Sequence, residues 1–249
     1  MENDELLRRV GDLLSRCEKN CELTCTAFLT PAEQLAVKRS TAYRSDCNVL
    51  FFGGHPDCER KAAFFLPYWL DAEHFDASEH ISAFSVKAGF GEPQHRDYMG
   101  ALLGLGIRRE WLGDIWVNGG TATVFCLPSV EKHLLLGLDK VGRYGVKTAK
   151  LSLGEVCAPV RETKTVSFSV QSVRLDSVAA GMFHLSRTQA AERIAAGELC
   201  LNYEQCVKPD AAVHEGDVIS LRGSGKGTVG AQGGTSKKGR IFISAEILK

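Results

Sequence analysis

The chain has 249 residues, 44% of them apolar and 24% charged, and its 30 basic and 30 acidic side chains leave no net charge. This composition is that of an ordinary globular protein long enough for two or three domains. A neutral chain excludes a polycation that binds nucleic acid over its whole surface, so any such contact must come from local basic patches.

Residues 1–78 predict a small α/β domain. Apolar residues at steps of three and four, among them Leu6, Val10 and Leu14, predict a helix over residues 4–17. The elements expected after it are a strand over residues 24–29, a helix from Pro31 to about Tyr43, a buried strand over residues 48–52 and a turn or helix over residues 55–61.

Residues 79–165 predict a ferredoxin-like domain. Its elements are a strand over residues 81–86, a helix over 95–105, strands over 115–117 and 122–126, a helix over 128–141 with His133 facing inward, and a strand over 146–153. Asn118-Gly119-Gly120 is a hairpin signal between the two middle strands. RNA-recognition modules have this order, but the aromatic pair with which they stack bases is not evident here.

Residues 166–249 predict two short helices followed by strands, so the chain as a whole is expected to be α+β. Residues 173–180 suit a first helix, and Ser186 with Gln189 forms a capping-box pattern for a second helix that ends near Gly197. Strands are expected over residues 198–202 and 213–221. The Gly-rich basic segment from Arg222 to Arg240 is expected to be a loose tail that follows a phosphate backbone.

The order of features over residues 173–222 resembles the S-four RNA-binding domain, named after small-subunit ribosomal protein four. The features are Arg174-Leu175-Asp176, Ser186-Arg187 followed by Ala190, Gly197 to Asn202, and Gly216-Asp217 before Ile219. The resemblance implies an αL-type surface that grips structured RNA with the basic side of the second helix. It therefore requires Arg174 and Arg187 to lie on the same side of the domain.

Carried over by position, the resemblance implies a set of RNA-binding residues: Arg174, Ser186, Arg187, Gln189, Asn202 and Lys208. Many relatives carry a basic residue where this chain has Ala191, and Arg193 is expected to compensate from a neighbouring position. The basic tail adds Arg222, Lys226, Lys237, Lys238 and Arg240. The alternative is that the helical arginines only solvate an amphipathic helix.

Two further motifs, residues 51–61 and residues 95–115, resemble the signature of the YlmH family of bacterial S-four proteins. Membership implies a cytoplasmic protein that binds ribosomal RNA and peptidyl-tRNA on the large ribosomal subunit and assists ribosome-associated quality control of stalled nascent chains. RNA, rather than DNA or a membrane, is the expected partner, and no cofactor is expected.

Four residues of the second motif are candidates for contact with RNA or a partner: His95, Arg96, Arg108 and Arg109. His95 and Arg96 suit equally a network at the start of a helix. Arg108 and Arg109 suit equally a pair of ordinary surface side chains.

Nine cysteines without an apparent secretory leader favour free thiols in a reducing cytosol. Cys17, Cys21 and Cys25 repeat every fourth residue, which is the spacing of one helix face as well as a possible metal site. The helix face is favoured, because no Cys-x-x-Cys pair or nearby His completes a zinc set. No apolar run reaches the length of about 18 to 20 residues that a membrane helix needs.

Catalysis is not expected. Only 27 residues follow Arg222, too few for the catalytic module of an S-four pseudouridine synthase, and no Gly-rich loop between a strand and a helix suits a methyltransferase. His95 and Asp97 lie two apart, so on a helix they would face different directions. Two alternatives to a non-catalytic RNA-binding factor stay open: an RNA-modifying enzyme with its chemistry in the first two domains, and an interaction adaptor in cell division.

Overall fold

The computed structural model describes residues 2–41, 48–159, 163–236 and 239–248. The chain divides into two compact units, residues 1–159 and residues 160–249. Six α-helices and three sheets lie within the described residues, which makes the protein a mixed α+β structure, as the sequence predicts.

The first unit begins with two helices and a small antiparallel sheet. The elements are α1 (Glu2–Asn20), β1 (Thr24–Cys25), α2 (Pro31–Thr41), β2 (Asn48–Phe52) and β3 (Ala62–Leu66), and the strand order is β1-β3-β2. Val10, Leu14 and Cys17 of α1 are buried against Val37 and Phe65, so the apolar stripe read from the sequence is the face that packs.

A second, five-stranded antiparallel sheet completes the first unit. Its elements are β4 (Ser82–Ala88), α3 (His95–Gly104), β5 (Leu112–Asn118), β6 (Thr121–Cys126), α4 (Glu131–Gly137), β7 (Lys140–Val141) and β8 (Tyr144–Leu151). The strand order is β5-β6-β4-β8-β7, and residues of α3 and α4 share one core cluster with the sheet. The predicted hairpin is confirmed: Asn118 pairs with Thr121 across Gly119-Gly120, and Gly119 takes φ 56°.

The two sheets of the first unit share a core cluster. Phe28 and Phe64 from the N-terminal segment pack in one buried cluster with Ala83, Trp116 and Phe125 from the larger sheet. Gly113 permits this contact, because a Cβ there would lie 2.7 Å from the ring of Phe28. The face of the larger sheet opposite its helices is therefore partly covered.

The second unit packs two helices against a six-stranded antiparallel sheet. Its elements are β9 (Thr163–Val170), α5 (Leu175–Met182), α6 (Arg187–Ala195), β10 (Leu199–Leu201), β11 (Glu204–Gln205), β12 (Val218–Leu221), β13 (Gly225–Thr235) and β14 (Ile241–Leu248). The strand order is β11-β10-β12-β13-β14-β9. Leu175, Val178 and Met182 of α5 and Ile194 of α6 are fully buried in its core.

The predicted loose tail is wrong. Gly225–Thr235 forms β13, which pairs with β12 on one side and β14 on the other. Two of its glycines serve close packing rather than flexibility, because a Cβ on Gly227 would lie 2.7 Å from the carbonyl oxygen of Glu246 and one on Gly230 would lie 2.6 Å from Ser244 Oγ. Lys237 and Lys238 lie outside the described residues.

Other elements differ from their predicted extents. The predicted 24–29 strand is only Thr24–Cys25, because the Thr26 hydroxyl takes the place of a strand neighbour and accepts from Ala63 N–H at 2.9 Å. The predicted helix over 128–141 is a short 3-10 turn followed by α4, since the backbone of Val141 pairs with Tyr144 in a hairpin. His133, expected to face inward, is exposed.

Candidate nucleic-acid interface

A buried carboxylate brings two of the predicted arginines together at the start of α5. Asp176 is only 4% exposed. Arg187 Nε donates to its Oδ2 at 2.9 Å, and Arg174 Nε lies 3.6 Å from its Oδ1. Arg174 and Arg187 therefore lie on the same side of the second unit, as the sequence hypothesis requires, and one negative charge faces two positive ones.

The backbone around Asp176 fixes its position. The N–H groups of Leu175 and Asp176 donate to the carbonyl oxygens of Ala211 and Pro209 at 2.9 Å each, which ties the first turn of α5 to the loop at residues 208–212. Asp176 Oδ1 also accepts from Ser177 N–H at 2.7 Å. This attachment leaves little freedom in the direction of the carboxylate.

The start of α6 places Arg187 beside this carboxylate. Ser186 Oγ accepts from Gln189 N–H at 3.1 Å, and Gln189 Oε1 accepts from Ser186 N–H at 3.0 Å, so the predicted capping box is confirmed. Ser186 and Gln189, predicted as RNA contacts, thus serve the helix end. Arg187 follows at the first helical position, and its side chain is 56% exposed.

A cleft of about 280 Å³ lies beside Arg187. Arg240 lines it as well, and Arg240 Nε donates to Ser169 Oγ at 3.0 Å while a terminal nitrogen donates to the Ser169 carbonyl oxygen. Ser177 and Gln171 add polar groups to the lining. Two guanidinium groups at one concave surface are suited to hold an anionic group such as a phosphate.

Arg193 has a different role from Arg187. Its guanidinium donates to Glu198 Oε2 at 2.7 Å, to Ser224 Oγ at 2.8 Å and to the carbonyl oxygen of Arg222. These bonds clamp the turn between β12 and β13 to the end of α6. Arg193 therefore does not compensate for Ala191 by joining the cluster at Asp176, whereas Arg222 itself is exposed.

Three other residues that were predicted to contact RNA, Asn202, Lys208 and Lys226, lie outside the cluster at Asp176. Asn202 takes φ 51° in a turn, where its Nδ2 donates to Asp217 Oδ1 at 2.8 Å and its Oδ1 accepts from Val218 N–H at 2.9 Å, so its amide is used within the fold. Lys226 Nζ lies 5.0 Å from the ring centroid of Tyr203. Lys208 is exposed in the loop that anchors α5.

The paired arginines of the first unit have unequal surroundings. Arg109 donates to the carbonyl oxygens of Leu112 and Gly113 at 2.8 and 3.3 Å. Burial, together with the nearby charge of Arg60, lowers the pKa of Arg109 to about 10. Arg108 is exposed, with its guanidinium 5.2 Å from the ring centroid of Trp111.

Arg60 and Asp114 connect the two sequence motifs at residues 51–61 and 95–115. Asp114 accepts from the N–H groups of Glu59 and Arg60 at 2.7 and 3.0 Å. Arg60 donates to the carbonyl oxygens of Leu112 at 3.1 Å and Phe28 at 2.9 Å, and burial lowers the pKa of Arg60 against the opposing effect of nearby carboxylates. The motifs thus fasten the N-terminal segment to the larger sheet.

At the start of α3, Asp97 Oδ2 accepts from Gln94 N–H at 2.8 Å. His95 and Arg96 are exposed. The network at this helix start therefore runs through Asp97, and the side chains of the two preceding residues face solvent.

Sequence reasoning did not single out Asp176, Arg60 or Asp114 as important side chains. The signal for Asp176 was an acidic residue in the first turn of a helix, two residues after Arg174. Arg60 and Asp114 carried no such local signal, because their partners lie 32 to 55 residues away along the chain.

The described cysteines do not form a metal site. Among the residues described, no group of three or more His, Cys, Asp or Glu side chains could hold a metal ion. The helix-face interpretation of Cys17, Cys21 and Cys25 is also wrong, since α1 ends at Asn20, Cys21 takes φ 51° after it and Cys25 lies in β1. Over the same residues, the helices are all too short or too polar to cross a membrane.

Comparison with known proteins relates the chain to one family. Residues 76–155 match the family model described as "Putative RNA-binding domain in YlmH". The curated Bacillus subtilis (strain 168) protein named "Ribosome-associated protein quality control protein P2" is 28% identical over 231 residues, which cover 92% of this chain and 89% of that protein.

A solved structure has a similar fold. The structure named "Cell division protein ylmH from Streptococcus pneumoniae" aligns with a TM-score of 0.54 and 20% identity over 62% of this chain and 94% of that one. The fold and the matched family model together define a mixed α+β protein that contains a domain of an RNA-binding type. Residues 76–155 thus match an RNA-binding domain of the YlmH type, and the chain as a whole is similar to the Bacillus subtilis protein over most of its length.

Proposed function

We propose that this protein is a non-catalytic RNA-binding factor of the cytoplasm that binds ribosomal RNA and peptidyl-tRNA on the large ribosomal subunit during ribosome-associated quality control. The observation that carries the proposal is the pair Arg174 and Arg187 held on the buried carboxylate of Asp176, beside a cleft that Arg240 also lines. The name of the matched family model supports RNA binding, and the name of the Bacillus subtilis relative supports a role in ribosome-associated quality control.

The proposal includes a three-part layout: an N-terminal α/β domain over residues 1–78, a ferredoxin-like domain over residues 79–165 and an S-four domain over residues 166–249. For the middle domain, support comes from the succession of β4, α3, β5, β6, α4 and β8 and from the sheet order β5-β6-β4-β8. For the S-four domain, support comes from the helix pair α5 and α6 followed by the short strand β10.

RNA binding at Arg174 and Arg187 would be mainly electrostatic. Asp176 contacts the Nε atoms of both arginines, and each guanidinium also carries terminal N–H donors. With two cations and one anion, the cluster keeps a net positive charge at a half-exposed surface. A phosphate backbone that docks there replaces counterions, so RNA affinity should fall steeply with salt.

The test is binding of the full-length protein to purified large ribosomal subunits and to structured ribosomal RNA over a range of salt concentrations. For Arg174→Ala and Arg187→Ala, we expect affinity to fall roughly tenfold each, since a charge-assisted hydrogen bond is worth about 1.5 kcal/mol or more. The slope of log affinity against log salt should become shallower by about one for each variant.

Arg16→Ala is the matched control, because Arg16 is 58% exposed and lies on α1. This variant should bind as the wild type does. Wild-type affinity in both cluster variants, with thermal unfolding unchanged, would show that RNA docks elsewhere.

A further inference from the structure

An exposed aromatic side chain stands at one end of the larger sheet of the first unit. Phe90, in the loop after β4, is 67% exposed. Its ring contacts that of Tyr144 edge-on, with centroids 5.5 Å apart. The guanidinium carbon of Arg143 lies 5.2 Å from the Tyr144 centroid, and Arg143 donates to the Tyr144 hydroxyl at 3.2 Å. Phe90, Arg143 and Tyr144 are called the edge cluster below.

The loop holds Phe90 outward by fixed backbone contacts. Gly89 N–H donates to the carbonyl oxygen of Gly145 at 3.0 Å, and Ala88 N–H donates to that of Gly120 at 2.8 Å. Gly91 takes φ +73°, and a Cβ there would lie 2.4 Å from the Tyr144 ring. The contact between Phe90 and Tyr144 therefore depends on glycine at position 91. The backbone hydrogen bonds of the loop keep the Phe90 side chain exposed.

The surroundings of the edge cluster are mainly basic. Lys87 and Lys147 are direct partners in the pairing of β4 with β8, one step from Ala88. Gly142, next to Arg143, approaches Asp97, which places the exposed first turn of α3 beside the hairpin of β7 and β8. The exposed basic residues are Lys87, Arg96, Lys140, Arg143 and Lys147, with His95 beside them, and the carboxylates are Glu92, Asp97 and Asp139.

The face on which RNA-recognition modules stack bases is blocked in this sheet. Those modules use aromatic side chains on the central strands of the open face. Here Phe125 on β6 is fully buried and Trp116 on β5 is 8% exposed, both within the core cluster that includes Phe28 and Phe64. A base therefore has no access to them, and the accessible aromatic rings lie at the sheet end instead.

We propose that the edge cluster is a stacking site for unpaired bases of RNA. A nucleotide base can lie on the Phe90 ring or on the Arg143 guanidinium plane, while Lys87, Lys147 and Arg96 attract the neighbouring phosphates. The positive surroundings favour a polyanion over an apolar protein segment. This inference rests on the proposed RNA-binding function and adds to it a second contact, which selects single-stranded over duplex RNA.

The experiment compares binding of a fluorescent short oligoadenylate and of an RNA hairpin by the full-length protein at low salt. We expect Phe90→Ala to weaken oligoadenylate binding roughly tenfold, in the range that base stacking on an aromatic side chain provides. Phe90→Trp should restore it. Tyr68→Ala, a change at an aromatic residue that is 83% exposed in the same unit, is the matched control and should have no effect.

The outcomes separate the two proposals. Oligoadenylate binding that Phe90→Ala leaves unchanged, or that Phe90→Trp fails to restore, overturns the stacking site even where Arg174→Ala and Arg187→Ala weaken binding to structured RNA. Loss of binding to large ribosomal subunits in Phe90→Ala without loss of oligoadenylate binding also overturns it, and assigns the surface to a protein contact. Ultraviolet crosslinking of the oligonucleotide to Phe90 or Tyr144 supports the stacking site. The crosslink at position 90 should be lost in Phe90→Ala.

Discussion

One pair of arginines in each unit differs from the other pair in what the guanidinium groups contact. In the first unit, Arg60 and Arg109 donate to backbone carbonyl oxygens inside the fold, and burial lowers the pKa of both. In the second unit, Arg174 and Arg187 contact one buried carboxylate with side chains 42% and 56% exposed. Arg60 and Arg109 thus join segments of the chain, whereas Arg174 and Arg187, which a side chain orients at the surface, remain available to a ligand.

The largest expected effect is on the stability of the first unit. Arg60→Met removes donors from the carbonyl oxygens of Phe28 and Leu112, so we expect the free energy of unfolding to fall by about 3 kcal/mol. Urea unfolding measures this loss, and thermal unfolding should show a midpoint roughly 6 to 12 °C lower. Arg16→Met on the exposed side of α1 is the control and should change stability little. Equal stability of the two variants would contradict the structural role of Arg60.

A smaller effect should separate orientation from charge in the second unit. Asp176→Asn keeps both arginines but removes the negative charge that orients them, so we expect affinity for structured ribosomal RNA to fall about tenfold, or roughly 1.4 kcal/mol. The salt dependence should stay as in the wild type, because both cations remain, whereas Arg187→Ala should reduce it. Filter binding across salt concentrations measures both quantities. Tighter binding by Asp176→Asn would mean that the carboxylate only opposes the phosphates.

The smallest effect concerns alkaline pH and the first unit. Burial raises the pKa of the Cys126 thiol to about 12 from an ordinary value of 9.0. Above pH 9 the unfolded chain releases this proton and the folded chain keeps it, so the unfolded state binds fewer protons and stability falls as pH rises. Between pH 9 and 10 the Cys126 thiol should contribute a decline of about 1 kcal/mol. Folded Arg109, whose pKa is about 10, begins to lose its proton in the same interval and opposes this decline by a smaller amount.

Urea unfolding at the two pH values measures this decline in wild type and in Cys126→Ala. The variant is less stable at both pH values because a buried side chain is truncated, but its decline should be smaller by the amount that Cys126 contributes. A decline that is identical in the two proteins would exclude Cys126 as its source.

Local signals in the sequence predicted the elements that form from neighbouring residues. The capping box at Ser186 and Gln189, the hairpin at Gly119 and the amphipathic α1 are all determined within a few residues. β3 was missed because Ala62–Leu66 is buried along its whole length and shows no alternation. β9 was missed although Val166, Phe168 and Val170 do alternate.

The candidate site was predictable only in part. The positions of Arg174 and Arg187 followed from the motif pattern, and their common side is set by Asp176 through space. Arg193 and Asn202 were assigned to RNA because the sequence records their polarity and not their partners, Glu198 and Asp217. The glycines of β13 were interpreted as flexibility, since nothing local distinguishes a mobile glycine from one that a neighbouring strand approaches closely.

The pairing of β9 with β14 has a consequence for how the second unit is made. The two strands pair over eight positions, from Thr163 opposite Leu248 to Val170 opposite Ile241. β9 therefore cannot form its hydrogen bonds in the sheet until β14 has been synthesised. During synthesis, a nascent chain that has not yet released residues 241–248 cannot close this sheet, and β9 and β13 each lack a neighbour. The cleft beside Arg187 is lined by residues of β9 and by Arg240, so it is completed only after residues 241–248 have been synthesised and have paired with β9.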